Sequence, residues 1–308
     1  MRRKVRVATR GSELALAQTR YIVSLLKKIN QDTDYEIITF TTIGDRIRDR
    51  PLASFRGMGV FVKEIQSALL SYEADIAVHS LKDVPVERPK ELSLVCFPKR
   101  ENPGDILLTR DGSTLFEIEK GAVIGTSSMR RSVQLQAVRN DFKFKDIRGN
   151  LDTRIKRLNE GVYDAIVLAA AGMKRLGKEF PDSSILPYSV CLPAAGQGAL
   201  ALECREDDQN VKNSLSGIDD YETRYAVKSE RTFLCEIGGG CTLPVAAYAS
   251  VCGNSLQLNS LAGDPETGKI VTSSCIGSVN EYQLIGKKCA DELRKLADNE
   301  GIGGILNE

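Results

Sequence analysis

Val123-Ile124-Gly125-Thr126-Ser127-Ser128-Met129-Arg130-Arg131 runs from a short apolar stretch, through hydroxyl-bearing residues, into a helix-forming segment. That order reads as strand, turn and helix, and Val7-Ala8-Thr9-Arg10-Gly11-Ser12 opens the chain the same way. Two such openings predict two related α/β lobes. Around the first, Val5–Thr9 is a strand and Ser12 caps a helix in which Leu14, Ala17, Tyr21, Leu25 and Ile29 recur at helical spacing. A strand over 36–41, a helix marked by Phe61, Ile65, Ala68 and Leu69, and apolar strands over 75–78 and 92–97 follow. Strands that alternate with helices predict a mainly parallel sheet.

The second unit starts after the polar, Pro/Gly-bearing stretch 99–105. Its further elements are a strand over 142–147, a helix marked by Leu151, Ile155 and Leu158, and a buried strand over 165–169. Pro193-Ala194-Ala195-Gly196-Gln197-Gly198 reads as a second hinge. Beyond about Ile218 the pattern changes to a smaller α+β unit. It holds a helix through Phe233, the loop Gly238-Gly239-Gly240-Cys241, strands near 245–262 and a helix ending near Ala297. Ligands in open α/β sheets bind beyond the carboxyl ends of the strands, so a cleft between the first two lobes is the expected site.

Composition narrows the function classes. At 308 residues the chain is long enough for two or three domains. Its 42 basic and 41 acidic residues leave a formal charge of +1, which argues against a nucleic-acid-seeking surface. Eight cysteines with no C-x-x-C spacing and a single histidine, His79, predict neither a metal site nor a disulfide framework. Met1-Arg2-Arg3-Lys4 is followed by a strand pattern instead of a secretory apolar core. The longest apolar run, 165–173, is about half of the roughly 20 residues a membrane span needs. A cytoplasmic protein with free thiols, with no membrane or nucleic-acid partner, is expected.

Arg10, Arg130, Arg131, Arg148, Arg154 and Arg175 all fall where strands hand over to turns or helices. Any one of them suits an ordinary surface ion pair. Six placed so selectively in a nearly neutral chain predict hosts for an oligoanion, because guanidinium forks grip carboxylates or phosphates. Asp83, in Ser80-Leu81-Lys82-Asp83-Val84-Pro85, sits in a strand-end loop. It suits either an Asx-type backbone bond or a role toward ligand N–H groups and protons. His79 has no nucleophile motif beside it and reads as a packed, hydrogen-bonded histidine. Phosphate-loop signatures are missing. Cys241, after three glycines, is open to two readings: a small buried hydrophobe, or a thiol on an open loop that carries a bulky substituent.

The stretch Glu230-Arg231-Thr232-Phe233-Leu234-Cys235-Glu236-Ile237-Gly238-Gly239-Gly240-Cys241-Thr242-Leu243-Pro244-Val245-Ala246 closely resembles the cofactor-attachment signature of the hydroxymethylbilane synthases, or porphobilinogen deaminases. The resemblance extends to Thr9–Ser12, Gly57–Glu64, His79–Val84, Gly125–Arg131, Arg148–Arg154 and Ala194–Gly198, nearly the whole chain. It implies two lobes like type II periplasmic binding proteins and a smaller α+β C-terminal domain. The implied domains are 1–98 with 199–217, then 103–193, then 218–308.

It also implies a dipyrromethane cofactor held by a thioether to Cys241. Asp83 matches the catalytic aspartate. Lys82, Ser80, Thr126, Ser127, Ser128, Arg130, Arg131, Arg148, Arg154 and Gln197 match cofactor contacts. Arg10, Ser12, Gln18, Phe61 and Arg175, again with Arg148 and Arg154, match substrate contacts. Two departures stand out: Met58 where the family often has lysine, and Leu243 where Ile, Val or Thr is usual.

The implied reaction is the deamination and head-to-tail condensation of four porphobilinogen molecules on that primer, ending in hydrolytic release of linear hydroxymethylbilane by a monomeric transferase of tetrapyrrole biosynthesis. Each pyrrole brings an acetate and a propionate, which gives the arginines a reason. Two other classes are weighed against it. A non-catalytic two-lobed oligoanion-binding protein would normally carry a signal peptide or a DNA-binding domain, and a thiol hydrolase using Cys241 lacks a base.

Overall fold

The computed structural model describes residues 3–46, 61–181, 184–239 and 243–306. In chain order the elements begin β1 (Arg3–Arg10), α1 (Glu13–Ile29), β2 (Thr33–Phe40), a single turn α2 (Ile43–Arg46), α3 (Lys63–Leu70), β3 (Ile76–Ser80) and β4 (Leu92–Cys96). Next come β5 (Asp105–Thr109), β6 (Val123–Gly125), α4 (Met129–Val138), β7 (Lys143–Lys145), α5 (Leu151–Asn159), β8 (Ala165–Ala169) and α6 (Ala170–Arg175). The chain closes with β9 (Leu200–Arg205), α7 (Gln209–Leu215), α8 (Tyr221–Glu236), β10 (Val245–Cys252), β11 (Ser255–Gly263), β12 (Ile270–Ser278) and α9 (Tyr282–Asn299).

Two compact units result, one of Met1–Glu101 with Ala199–Arg224, the other of Asn102–Gly198 with Tyr225–Glu308. The first is built on a five-stranded sheet in the order β2-β1-β3-β9-β4. Side chains alternate across its pleat, and both faces are covered. Val5, Val7, Ile76 and Leu202 pack with Ile22 and Leu26 of α1, while Ala8 and Ala77 pack with Ile65 and Leu69 of α3. Each fully buried Leu, Ile or Val contributes about 1.5–3 kcal/mol. The Ser12 hydroxyl accepts from the Ala15 amide at 3.3 Å, so the cap expected there is made and α1 starts on the first carboxyl end of the sheet.

The second unit holds a four-stranded sheet, β5-β8-β6-β7, and a three-stranded antiparallel sheet, β10-β11-β12. The former has apolar clusters on both faces, one around Ile124, Leu135 and Val167, the other around Ile106, Ile166 and Met173. The latter packs one face on α8 and α9, with Phe233, Leu258, Cys275 and Leu293 at the centre. Gly263 of β11 lies so close to α4 that a Cβ there would meet a Val133 methyl at 2.7 Å.

The expectation of a mainly parallel sheet holds for the four-stranded sheet, while the five-stranded sheet is evenly mixed. β1 pairs parallel with β2 and β3, but β9 runs antiparallel to both β3 and β4. In the second unit β6 pairs parallel with β7 and β8, and β5 is antiparallel to β8. The antiparallel strands are those where the chain leaves one unit and returns to it. They are not ends of strand-helix-strand crossovers, so the rule that makes such connections parallel does not apply to them. β5, α7 and β12 were also not anticipated, since Asp105–Thr109 follows directly on a polar loop and Ile270–Ser278 is rich in serine.

Candidate functional site

In the first unit, β1 ends at Arg10, α1 turns Gln18 inward, and β3 delivers Ser80 to a 3-10 turn over Leu81–Asp83. Gln18 and Ser80 are joined, with Nε2 of Gln18 donating to the serine Oγ at 2.9 Å. Arg10, Ser12, Gln18, Phe61, His79, Ser80 and Asp83 line one recess. Six of the sequence-chosen residues therefore meet in it. Lys82 sits on the same turn but not in the lining. The Arg10 guanidinium lies 4.2 Å from the Phe61 ring centroid, and the ring is seated against Gly44, where a side chain would collide with it.

His79 is buried, as expected, and its Nε2 lies 2.9 Å from Oε2 of Glu203 on β9. Gln66 of α3 donates to the same carboxylate at 3.0 Å. Burial alone would raise the Glu203 carboxyl; the hydrogen bond and charge of His79, the Gln66 bond and the Arg88 charge outweigh it and hold the carboxyl below its ordinary value. Glu203 and Gln66 escaped notice in the sequence. A glutamate alone in the apolar strand Leu200–Arg205 is the signal that marks a buried, partnered carboxylate.

In the second unit the arginines divide into two kinds. Arg130 and Arg131, from the first turn of α4, are buried and converge on Asp105. Arg130 Nη1 is 2.7 Å from one carboxylate oxygen and Arg131 Nη2 is 2.6 Å from the other. Arg130 also donates to the Leu192 carbonyl (2.7 Å) and Arg131 to that of Val167 (2.9 Å). Gln197 Nε2 donates to Asp105 at 2.9 Å. Asp105 is fully buried, and the charges of both guanidiniums outweigh that burial and hold its carboxyl well below the carboxylate range. Arg130, which the family resemblance matches to a cofactor contact, is a member of this buried ring. Its guanidinium faces inward, because a buried carboxylate and a carbonyl satisfy it there.

Arg148 and Arg154 are half-buried, and Arg154 lies within reach of the charges of Arg131 and Arg148. Burial, then the charges of Arg131 and Arg148, lower the Arg154 guanidinium to about 10. Burial is the larger cause, and the two neighbouring guanidiniums add to it, so Arg154 stands in a positive neighbourhood. Arg175 donates to the Gly198 carbonyl at 2.6 Å. The Ser127 hydroxyl donates to the Ile147 carbonyl (2.9 Å) and accepts from its amide (3.1 Å), and the Thr126 hydroxyl accepts from the Ser128 amide (3.2 Å). The Ser127 bonds tie the turn 126–128 to the segment just after β7, and the Thr126 bond braces the turn internally.

Cys241, with Gly240 and Thr242, and Met58 lie outside the described residues. On the approach to Cys241, α8 ends at Glu236 and Gly238 takes φ +85°, a left-handed conformation that glycine adopts without strain. Leu243 packs against the core of the three-stranded sheet, in keeping with the small departure it represents. Among the described residues no cluster of His, Cys, Asp and Glu could hold a metal, and no helix is long and apolar enough to cross a membrane.

Sequence comparison matches residues 5–213 to the porphobilinogen deaminase dipyromethane cofactor binding domain and residues 224–295 to the porphobilinogen deaminase C-terminal domain. A porphobilinogen deaminase of Brevibacillus brevis is 45% identical over 306 residues, 99% of this chain and 97% of the relative. That of Bacillus subtilis is 44% identical over 292 residues, 94% and 92% of the two chains. Among solved structures, the BenM effector binding domain with its effector benzoate aligns with 70% of this chain and 90% of its own, at 12% identity and a TM-score of 0.43, a likeness too distant to carry a functional statement. With enzymes matching over nearly the full length, the reading as a non-catalytic oligoanion-binding protein is not favoured. The chain belongs to the porphobilinogen deaminase family, transferases with a dipyrromethane cofactor.

Proposed function

We propose that the chain is a hydroxymethylbilane synthase that deaminates four porphobilinogen molecules, joins them head to tail on a dipyrromethane primer thioether-linked to Cys241, and releases linear hydroxymethylbilane by hydrolysis. The observation that carries this is that Arg154 comes under the charges of Arg131 and Arg148. Two pyrroles bearing acetate and propionate bring four carboxylates, and guanidiniums close enough to feel one another's charge suit such a ligand. The donor set fits the group. When bound, the primer supplies the free α-carbon to which the activated pyrrole is joined.

Arg148 and Arg154 hold carboxylates of the bound pyrroles, and Arg131 adds its charge to theirs from below. Lys82, Ser80, Thr126, Ser127, Ser128 and Gln197 act in the same reading as supporting contacts or as braces of the loops that bear them. Arg10, Ser12, Gln18 and Arg175 serve the incoming substrate, with Phe61 as an apolar wall. Asp83 accepts the pyrrole N–H and stabilises the positive charge that develops as the C–N bond breaks and ammonia leaves. Moving a proton is its secondary task. We read domains over 1–98 with 199–217, 103–193 and 218–308, and a cytoplasmic monomer acting without membrane or nucleic acid. The seven described cysteines, all unpaired, suit a reducing compartment.

Intact-protein mass spectrometry of the purified chain tests the reading. The expected result is the added mass of a dipyrrole located on Cys241, with a colour reaction to an acidic aldehyde reagent. An unmodified Cys241 after incubation with porphobilinogen would overturn it.

A further inference from the structure

Asp105 is a carboxylate with no access to solvent, at the start of a strand whose next three residues are apolar. Ionised side chains are almost never so placed unless paired, and this one has a full set of partners. Arg131 reaches Oδ1 through Nε (3.0 Å) and Nη2 (2.6 Å), Arg130 reaches Oδ2 through Nη1 (2.7 Å), and Gln197 and the Cys191 thiol complete the ring at 2.9 and 3.4 Å. The carboxylate thus fixes the rotamer of Arg131, the residue whose charge bears on Arg154.

We propose that Asp105 is a positioning residue for cofactor loading: held between Arg130 and Arg131, it sets where the Arg131 charge stands beside Arg148 and Arg154, and so presents a preassembled host for the primer's carboxylates. The inference rests on the reading of those arginines as carboxylate hosts.

The charge count explains why one acid serves two bases. Arg130 and Arg131 with Asp105 carry a net +1 in the interior, which keeps Arg131 from being neutralised while still compensating the desolvation of both guanidiniums. A second acid would cancel the field the cluster offers to an anion. No acid would leave both guanidiniums buried without a counterion, and they would swing toward water. Gln197 strengthens the arrangement without changing its charge, and its loop is itself anchored, since the Gly196 amide donates to the buried Glu230 at 2.6 Å.

The test uses the full chain, prepared without primer and incubated with porphobilinogen, with dipyrrole occupancy of Cys241 read by intact mass and normalised to the folded fraction from near-UV circular dichroism. Asp105→Asn, which removes the charge, is expected to lower normalised occupancy at least tenfold. Asp105→Glu keeps the charge and displaces the carboxylate by one methylene. It is expected to fold with a melting temperature within a few degrees of the parent and still to load at least tenfold more slowly. This second variant decides the matter if Asp105→Asn fails to fold. Loading of Asp105→Glu at the parental rate, or occupancy that merely follows the folded fraction, would overturn the proposal. A parent chain that never acquires a dipyrrole would instead overturn the reading on which it rests.

Discussion

Nε2 of His79 lies 2.9 Å from Oε2 of Glu203, joining neighbouring strands β3 and β9 at the wall of the recess that holds Ser80 and Asp83. The chain's one histidine is thus spent on a buried pair, and it serves the site by fixing the strand end from which Ser80 and Asp83 project. Glu203 is held below its ordinary value of 4.5. A depressed folded-state carboxyl contributes stability that is fully present above the unfolded value and lost as pH falls through the folded one. Glu203→Gln should therefore cost about 1.5–3 kcal/mol at pH 7, in the range of a hydrogen bond to a charged group. The difference from the parent should shrink as pH drops below 4.5. Urea unfolding at several pH values measures it, and a constant difference from pH 7 to pH 3 would contradict the assignment.

Asp83→Ala should leave folding and carboxylate binding close to parental while turnover falls by roughly 10²-fold or more, the scale expected when a preorganised charge stabiliser is removed. Steady-state kinetics on the loaded protein, set beside its intact mass, separates loss of chemistry from loss of primer. Turnover at the parental rate would remove Asp83 from its role.

Arg131→Ala deletes the guanidinium that both braces Asp105 and bears on Arg154. Breaking a buried ion pair costs about 3–5 kcal/mol. The variant should melt earlier and carry less than a tenth of the parental dipyrrole. A fully loaded variant would show that the cluster does not hold the primer.

Thiol accessibility supplies an independent check. Cys235 and Cys252 are exposed, whereas Cys96, Cys191, Cys204, Cys275 and Cys289 are buried. Burial pushes the Cys191, Cys204 and Cys275 thiols up to about 12, so their reactive thiolates are scarce at neutral pH. Iodoacetamide on the native, loaded protein should label Cys235 and Cys252 alone, with Cys241 joining them only when no primer is attached. Peptide mapping reads the outcome, and rapid labelling of Cys191 would contradict the buried Asp105 ring.

Gln18 and Ser80 entered as site residues only through the family resemblance, but the alternation of strand and helix, the Ser12 cap, the buried strand over 165–169 and the strand-end positions of Arg10 and Asp83 were legible in the residues themselves. Local signals govern them: periodicity, capping chemistry and the position of polar residues at strand ends. The long stretch 230–246 likewise named the family, because so many residues in one fixed order match that family's signature.

Pairings between distant segments were not legible. Nothing local tells that β9 inserts antiparallel between β3 and β4, or that Arg130 turns inward to Asp105 while Arg154 comes under the charges of Arg131 and Arg148. A guanidinium looks alike in sequence whether it will be spent on a buried carboxylate or kept for a ligand. The choice depends on which charges the folded chain brings within a few ångströms and how much water it removes from around them, and those quantities exist only once the tertiary structure has formed.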